Sequence, residues 1–236
     1  MTGPKIDEIG PWSEVKLDIL KRYAVEYSKI LSNQQNPSFT HVYIDAFAGA
    51  GYHLSKASGE MVLGSPLNAL LVRPAFREHY LIDLDGDKID GLREIVGERP
   101  DVHLHHGDCN KVLLEEVFPK VHFKDYKRGL CLLDPYKLTL QWKVIQEAGS
   151  MRSLDVFLNF PIHDINRTVL FHRPEKVSPA NIARMNALGG SIVGRGCVRQ
   201  EPRPVWPKRC REGLQPEICG SVLATIKESR RFREGS

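Results

Sequence analysis

Between His41 and Phe160, five short β-like runs alternate with helical ones, and this alternation narrows the folds open to the chain. The strand-like runs are HVYIDA (41–46), HYLID (79–83), DVHLHH (101–106), GLCLLD (129–134) and LDVFLNF (154–160). Between and after them, the apolar spacing predicts helices over 65–73, 87–97, 109–118, 140–149 and 178–190. Ser65 reads as the N-cap of the first of these, with Pro66 at its first position. Alternating units of this kind build βαβ crossovers, so the fold class is α/β: a doubly wound, largely parallel sheet with helices on both faces. The third strand is the least apolar and should lie at an edge. Ahead of the first strand, residues 13–32 place Leu20, Tyr23, Ala24, Tyr27, Ile30 and Leu31 on a helical stripe, with Ser13 as its N-cap.

The chain divides into a domain over 1–186 and a tail over 187–236. The 236 residues are 42% hydrophobic, enough for a real core, and carry a net charge of +4. That charge is unevenly placed. From Ala187 onward there are ten Lys/Arg and five Asp/Glu, so the tail holds +5 and residues 1–186 hold −1. The tail is rich in Arg, Pro, Gly and Cys and reads as a solvated or disordered segment rather than a specific grip on RNA. A shifted reading frame near Asn186 would account for its change of character. The five cysteines are odd in number and show no C-x-x-C pair, which speaks against a disulfide framework. No basic-then-apolar leader and no membrane-length apolar run occurs, so a cytoplasmic location is expected.

Chemistry-bearing residues gather at the strand ends, where open α/β sheets bind their ligands. After the first strand, DAFAGAG supplies Asp45, Phe47, Gly49 and Gly51, letting the chain turn and a ligand meet bare backbone. A tight turn is the plainer explanation of those glycines. A dinucleotide fingerprint would need glycine at 54, which is leucine, and no Gly-Lys-Ser/Thr follows. Both NAD and ATP are disfavoured. Asp83 in LIDLD directly follows the second apolar run, where a carboxylate can accept from two ribose hydroxyls. Asp108 in GDCN lies beyond the third strand, placed either to cap the next helix or to meet an adenine amino group. His103, His105 and His106 suggest a metal, but no further ligand has suitable spacing, and no metal site is expected.

As an ordered set, YIDAFAGAG, GSPLNAL, GDCN, LLDPY and NFPIHDINR resemble the three-Cys-motif partner protein family, whose bacterial members have a class I, S-adenosylmethionine-dependent methyltransferase-like (Rossmann-like) fold. The resemblance covers residues 15–186. It implies S-adenosyl-L-methionine as cofactor, with Asp45, Phe47, Gly49 and Gly51 toward the methionine part. Asp83 would then hold the ribose, and Asp108 with Cys109 the adenine. It also implies a separately encoded three-Cys-motif protein as partner. After Asn186 the chain departs from the pattern, since a class I sheet has two further strands that the tail does not spell.

LLDPY resembles the D/N-P-P-Y loop of amino-group methyltransferases, with one proline fewer. There Asp134 and Pro135 would accept the hydrogens of a planar amine and Tyr136 would stack on its ring. Asn159, Asn166 and Arg167 would bind the substrate beside them. Transfer from a sulfonium needs alignment more than acid–base help. Two readings stand: methyl transfer to an amino group on a nucleobase or other planar acceptor, or a catalytically silent cofactor-binding partner.

Overall fold

In the computed structural model, the described residues are 6–35, 38–170 and 176–196, with side chains described to Gly189. The chain divides into two units, Met1–Val193 and Gly194–Ser236, and the sheets and the cleft belong to the first. The expectations for residues 197–236 lie outside the described residues.

The five expected strands form one parallel sheet. In chain order its members are β2 (Thr40–Asp45), β5 (Glu78–Asp83), β6 (Val102–His106), β7 (Lys127–Leu133) and β8 (Leu154–Leu158). Their spatial order is β6-β5-β2-β7-β8, with every neighbouring pair parallel. The chain thus steps outward on one side of β2, returns, and steps outward on the other. That is the doubly wound, Rossmann-like order, with its switch point between β2 and β7. β6 is an edge, as its weaker apolar character suggested. Among the described residues, β8 pairs with β7 alone.

Strand residues alternate between two cores, as a pleated sheet requires. Val42, Ile44, Tyr80, Ile82, Cys131 and Leu133 face one side. There they meet α4 (Cys109–Val112) and its continuation as a π-helix (Leu113–Val117), α5 (Trp142–Ser150), α6 (Ile162–Thr168) and α7 (Pro179–Gly196). Tyr43, Leu81 and Leu130 face the other side, against α1 (Pro11–Ser32), α2 (Ser65–Leu70) and α3 (Gly86–Val96). Both faces of β2, β5 and β7 are therefore covered, which explains their near-continuous apolar runs.

Several boundaries differ from the sequence reading. The first helix begins at Pro11 with Gly10 as N-cap, not Ser13, because proline suits the first helical turn. Gly64, not Ser65, caps α2. The expected helix over 109–118 is α-helical only to Val112 and then loosens into a π turn. α6 was not anticipated, and α7 continues six residues past Gly190, through the expected boundary at 186.

The chief addition is a second, three-stranded sheet. The stretch between β2 and α2 holds a hairpin of β3 (Tyr52–Ser55) and β4 (Met61–Leu63), and β1 (Asp7–Ile9) pairs parallel with β3. This small sheet stands beside the strand ends of the large one.

Candidate functional site

The backbone beyond β2 diverges where the sheet changes direction. The Ala46 N–H donates to Leu132 O on β7 at 3.1 Å, whereas the Ala48 N–H donates to Ile82 O on β5 at 2.9 Å. Gly49 follows, and its N–H donates to Asp83 Oδ2 at 2.8 Å. The other Asp83 oxygen accepts from the Asp85 N–H at 2.9 Å. Each carboxylate oxygen keeps a second lone pair for another donor. On the neighbouring strand, the Gly107 N–H donates to Asp83 O at 2.9 Å, so the ends of β2, β5 and β6 are tied together.

These strand ends floor a cleft of about 1130 Å³, which the small sheet and the start of α1 wall on one side. Phe47, Gly49, Asp83, Asp108, Cys109, Asp134 and Tyr136 all line it. Gly49 has φ +65° and open space where a side chain would stand, so its bare backbone faces the cleft. Gly51 has φ +89° and packs against Leu67 and Leu92, so it serves the turn. Both glycines take the positive φ that a turn requires, and of the two Gly49 lines the cleft.

Asp45 lies beneath the cleft floor, wholly buried. Its Oδ1 accepts from the Phe47 N–H at 3.1 Å, and its Oδ2 from the Tyr43 hydroxyl at 3.2 Å. Burial pushes its pKa up to about 6, against the opposing pull of hydrogen bonds from Ser65, Phe47 and Tyr43. Asp45 braces the loop from below. Asp108 does cap a helix: its Oδ1 accepts from the Asn110 N–H at 2.9 Å and from Asn110 Nδ2 at 2.8 Å. Exposed at the cleft rim, it performs this role without leaving the site. The thiol of Cys109 beside it is buried, and burial pushes its pKa up to about 12. It is a neutral lining group, not a nucleophile.

At the fourth strand end, Asp134 is already engaged. Its Oδ2 pairs with Lys16 Nζ of α1, and its Oδ1 accepts from Asn159 Nδ2 at 2.7 Å. Pro135 is buried, while Tyr136 is 74% exposed with Lys137 Nζ 5.0 Å from its ring centre. Among the described residues, Asn159 meets the cleft lining through Asp134. Asn166 and Arg167 lie on α6, exposed and away from the lining residues, and Arg167 pairs with Asp164 at 2.9 Å.

The small sheet adds residues that sequence reading missed: Asp7, Glu8 and His53 from its strands, Lys16 from α1 and Lys88 from α3. Lys88 reaches across the cleft mouth to pair with Asp7. Nothing in the local sequence marked these residues: strands of three or four residues show no period, and the two lysines read as ordinary polar positions on their helices. In all, seven carboxylates line the cleft (Asp7, Glu8, Asp83, Asp85, Asp87, Asp108 and Asp134) against the ammonium groups of Lys16 and Lys88.

The histidines of β6 lie elsewhere. His103 stacks on Tyr80 at 4.8 Å, His105 Nδ1 is 3.0 Å from Glu116, and His106 Nε2 is 3.2 Å from Leu84 O. No group of three or more metal-ligating side chains converges among the described residues.

Fold and site together define an α/β protein with a cleft at the switch point of a parallel sheet. No helix among the described residues is long and apolar enough to cross a membrane. No family model matches the chain, and no curated protein matches it. Among solved structures, protein LPL1258 from Legionella pneumophila str. Philadelphia 1, of the family DUF519, is similar at 15% identity with a TM-score of 0.34. The match covers 58% of this chain and 61% of that one, so it spans less than two thirds of the other protein. A likeness of this size identifies neither ligand nor reaction.

Proposed function

We propose that the cleft binds S-adenosyl-L-methionine and that the protein transfers its methyl group to an amino group of a nucleobase or another planar acceptor. One observation carries this reading. The open Gly49 backbone, Asp83 and the Asp108–Cys109 turn meet in one cleft whose lining has seven carboxylates and two lysines. Such a lining favours a cationic sulfonium and opposes the phosphates of NAD or ATP. Asp83 keeps lone pairs for the two ribose hydroxyls, Asp108 stands at the adenine end, and the neutral Cys109 offers an apolar wall to the base. The transferable methyl would point toward Asp134 and Tyr136.

A second reading has its own support. Each Asp134 oxygen already accepts one bond, from Lys16 or from Asn159, so an acceptor amine must share the remaining lone pairs with an ammonium already in place. A cofactor-binding partner without transfer activity, acting with a separately encoded three-Cys-motif protein, needs no such sharing.

Calorimetry tests the cofactor. S-adenosylmethionine should bind at least about tenfold tighter than NAD or ATP, roughly 1.4 kcal/mol. Asp83→Ala should weaken it by a similar factor, because the ribose hydroxyls lose their acceptor. Equal affinity for the native chain and the variant would remove Asp83 from the site. Radiolabelled methyl transfer into nucleic-acid, protein and small-molecule fractions then separates the readings. Label that disappears in Asp134→Ala supports the enzyme; none from the cofactor-loaded native chain supports the partner.

A further inference from the structure

The two ends of the parallel sheet differ in charge. At the carboxyl ends of its strands, the cleft lining has seven carboxylates and two lysines. At the amino ends, the stretch KVHFKDYKR (120–128) leads into β7 with Lys120, Lys124, Lys127 and Arg128 against a single acid, Asp125. Arg77 stands at the same end, just before β5, and its backbone N–H donates to His41 O of the neighbouring β2 at 2.9 Å. Lys127 is 3.7 Å from Glu78. Among the described residues, the exposed side chains of Arg77 and Lys124 make no hydrogen bond or ion pair. The seven residues of β7 set this end about 20 Å from the cleft.

Aromatic rings are interleaved with these charges. The Arg128 guanidinium lies 3.9 Å from the Phe123 ring centre and 4.5 Å from that of Phe39, and Phe39 in turn lies 6.4 Å from Tyr126. Arg128 is fixed between the rings by donating to Lys127 O at 2.8 Å. It covers one face of Phe123, yet Phe123 remains 49% exposed and Tyr126 51%. Each ring is braced from behind and open in front. Tyr126 has φ +55° and ends the 3₁₀ turn Phe123–Asp125. That left-handed position favours glycine or asparagine, and an exposed tyrosine gains little burial there in return. Packing within the chain does not account for two half-open rings on a basic turn. A flat, anionic ligand does.

We propose that this end of the sheet binds single-stranded nucleic acid. Unpaired bases stack on Phe123 and Tyr126, and the phosphates between them meet Lys124 and Arg77. A duplex keeps its bases stacked on one another and offers the rings nothing. An acidic peptide would meet the cations and leave the rings idle. The carboxylate-lined cleft repels the same polyanion, so the strand is held at the amino end of the sheet. Asp125, inside the turn, weakens the attraction and keeps the affinity micromolar. This inference does not depend on the ligand of the cleft.

Fluorescence anisotropy of a labelled oligothymidylate of about 12 nucleotides, with the full chain at about 50 mM salt, should give a dissociation constant on the order of 10 µM. Affinity should fall about tenfold by about 200 mM salt. Lys124→Glu should weaken binding by at least about fivefold with an unchanged thermal midpoint, since Lys124 holds no other side chain. Phe123→Ala should weaken it by at least about fivefold, and Phe123→Trp should restore it, because a larger ring still stacks. The basic tail is tested separately: Lys208→Ala/Arg209→Ala/Arg211→Ala should stay within about twofold of the native chain. Irradiating an iodouridine-substituted oligomer should attach it to the peptide that holds residues 123–126. No binding up to about 100 µM protein overturns the proposal. So does a duplex of equal length that binds as tightly, or polyglutamate that competes as well as the oligonucleotide. Loss of binding in the tail variant but not in Lys124→Glu, or crosslinks that map to the cleft, overturns it too.

Discussion

The floor and the wall of the cleft are built by different means. The floor is the end of a sheet whose central strands are buried on both faces: Val42, Tyr43, Ile44, Leu81, Ile82, Leu130 and Leu133 have no exposed surface. The wall is a sheet of three short strands in which Ser55 is the one buried residue. Apolar packing fixes the floor. The wall has less of it, with Tyr52 and Leu63 packed on the core, and leans more on polar links: Lys88 to Asp7, Lys56 Nζ to Glu8 at 4.0 Å, and Ser55 Oγ to Glu14 at 2.7 Å. Burial is strong and non-directional, whereas partly exposed ion pairs are weak and screened by salt. Asp83, Asp108 and Asp134 therefore keep their spacing while the wall is free to yield.

The largest expected effect is a core deletion in the floor. Leu130→Ala should lower the unfolding free energy by about 2–5 kcal/mol, as removal of a fully buried leucine leaves a cavity. A loss below about 1 kcal/mol in urea titration would mean that the floor is not the rigid part.

Asp45 links floor to loop, and its effect has the opposite sign. Unfolded, its carboxyl ionises at the ordinary 3.8, whereas in the fold it keeps its proton to about 6. Between those values the folded state binds the extra proton. The stabilisation is thus complete below about pH 4 and is lost as pH rises through 6. Asp45→Asn keeps an acceptor for the Phe47 N–H and removes the buried charge. Its stability relative to the native chain should rise by about 2–3 kcal/mol between about pH 4 and pH 7.5. A pH-independent difference would show that Asp45 is not a buried titrating group.

The smallest effect belongs to the wall. Lys88→Ala should change global stability by less than about 1 kcal/mol, since the Asp7 side chain is 51% exposed. Amide exchange in β1 should nonetheless quicken while that in β2 stays slow. Equal acceleration in both would erase the distinction between floor and wall.

Much of the floor was legible because each of its strands is a local apolar run broken by turns, and each of its helices a local stripe. Buried strands leave that mark whatever their neighbours are. Asp83 and Asp108 were legible for the same reason: a polar residue at the end of such a run, or just beyond it, must sit at a strand end. The wall left no mark. β1 pairs with β3 across some forty residues of chain, and strands of three or four residues are too short to show an alternation. Lys16 and Lys88 are ordinary surface lysines in the sequence; only folding brings one to Asp134 and the other to Asp7. The sequence by itself determined the parallel sheet, its edge strand and the chain of acids along its rim, because these follow from short-range pattern. Tertiary structure alone decided that Asp45 is buried beneath the cleft and that Asp134 is held by a lysine. Those depend on which distant segments meet, and no local period encodes that.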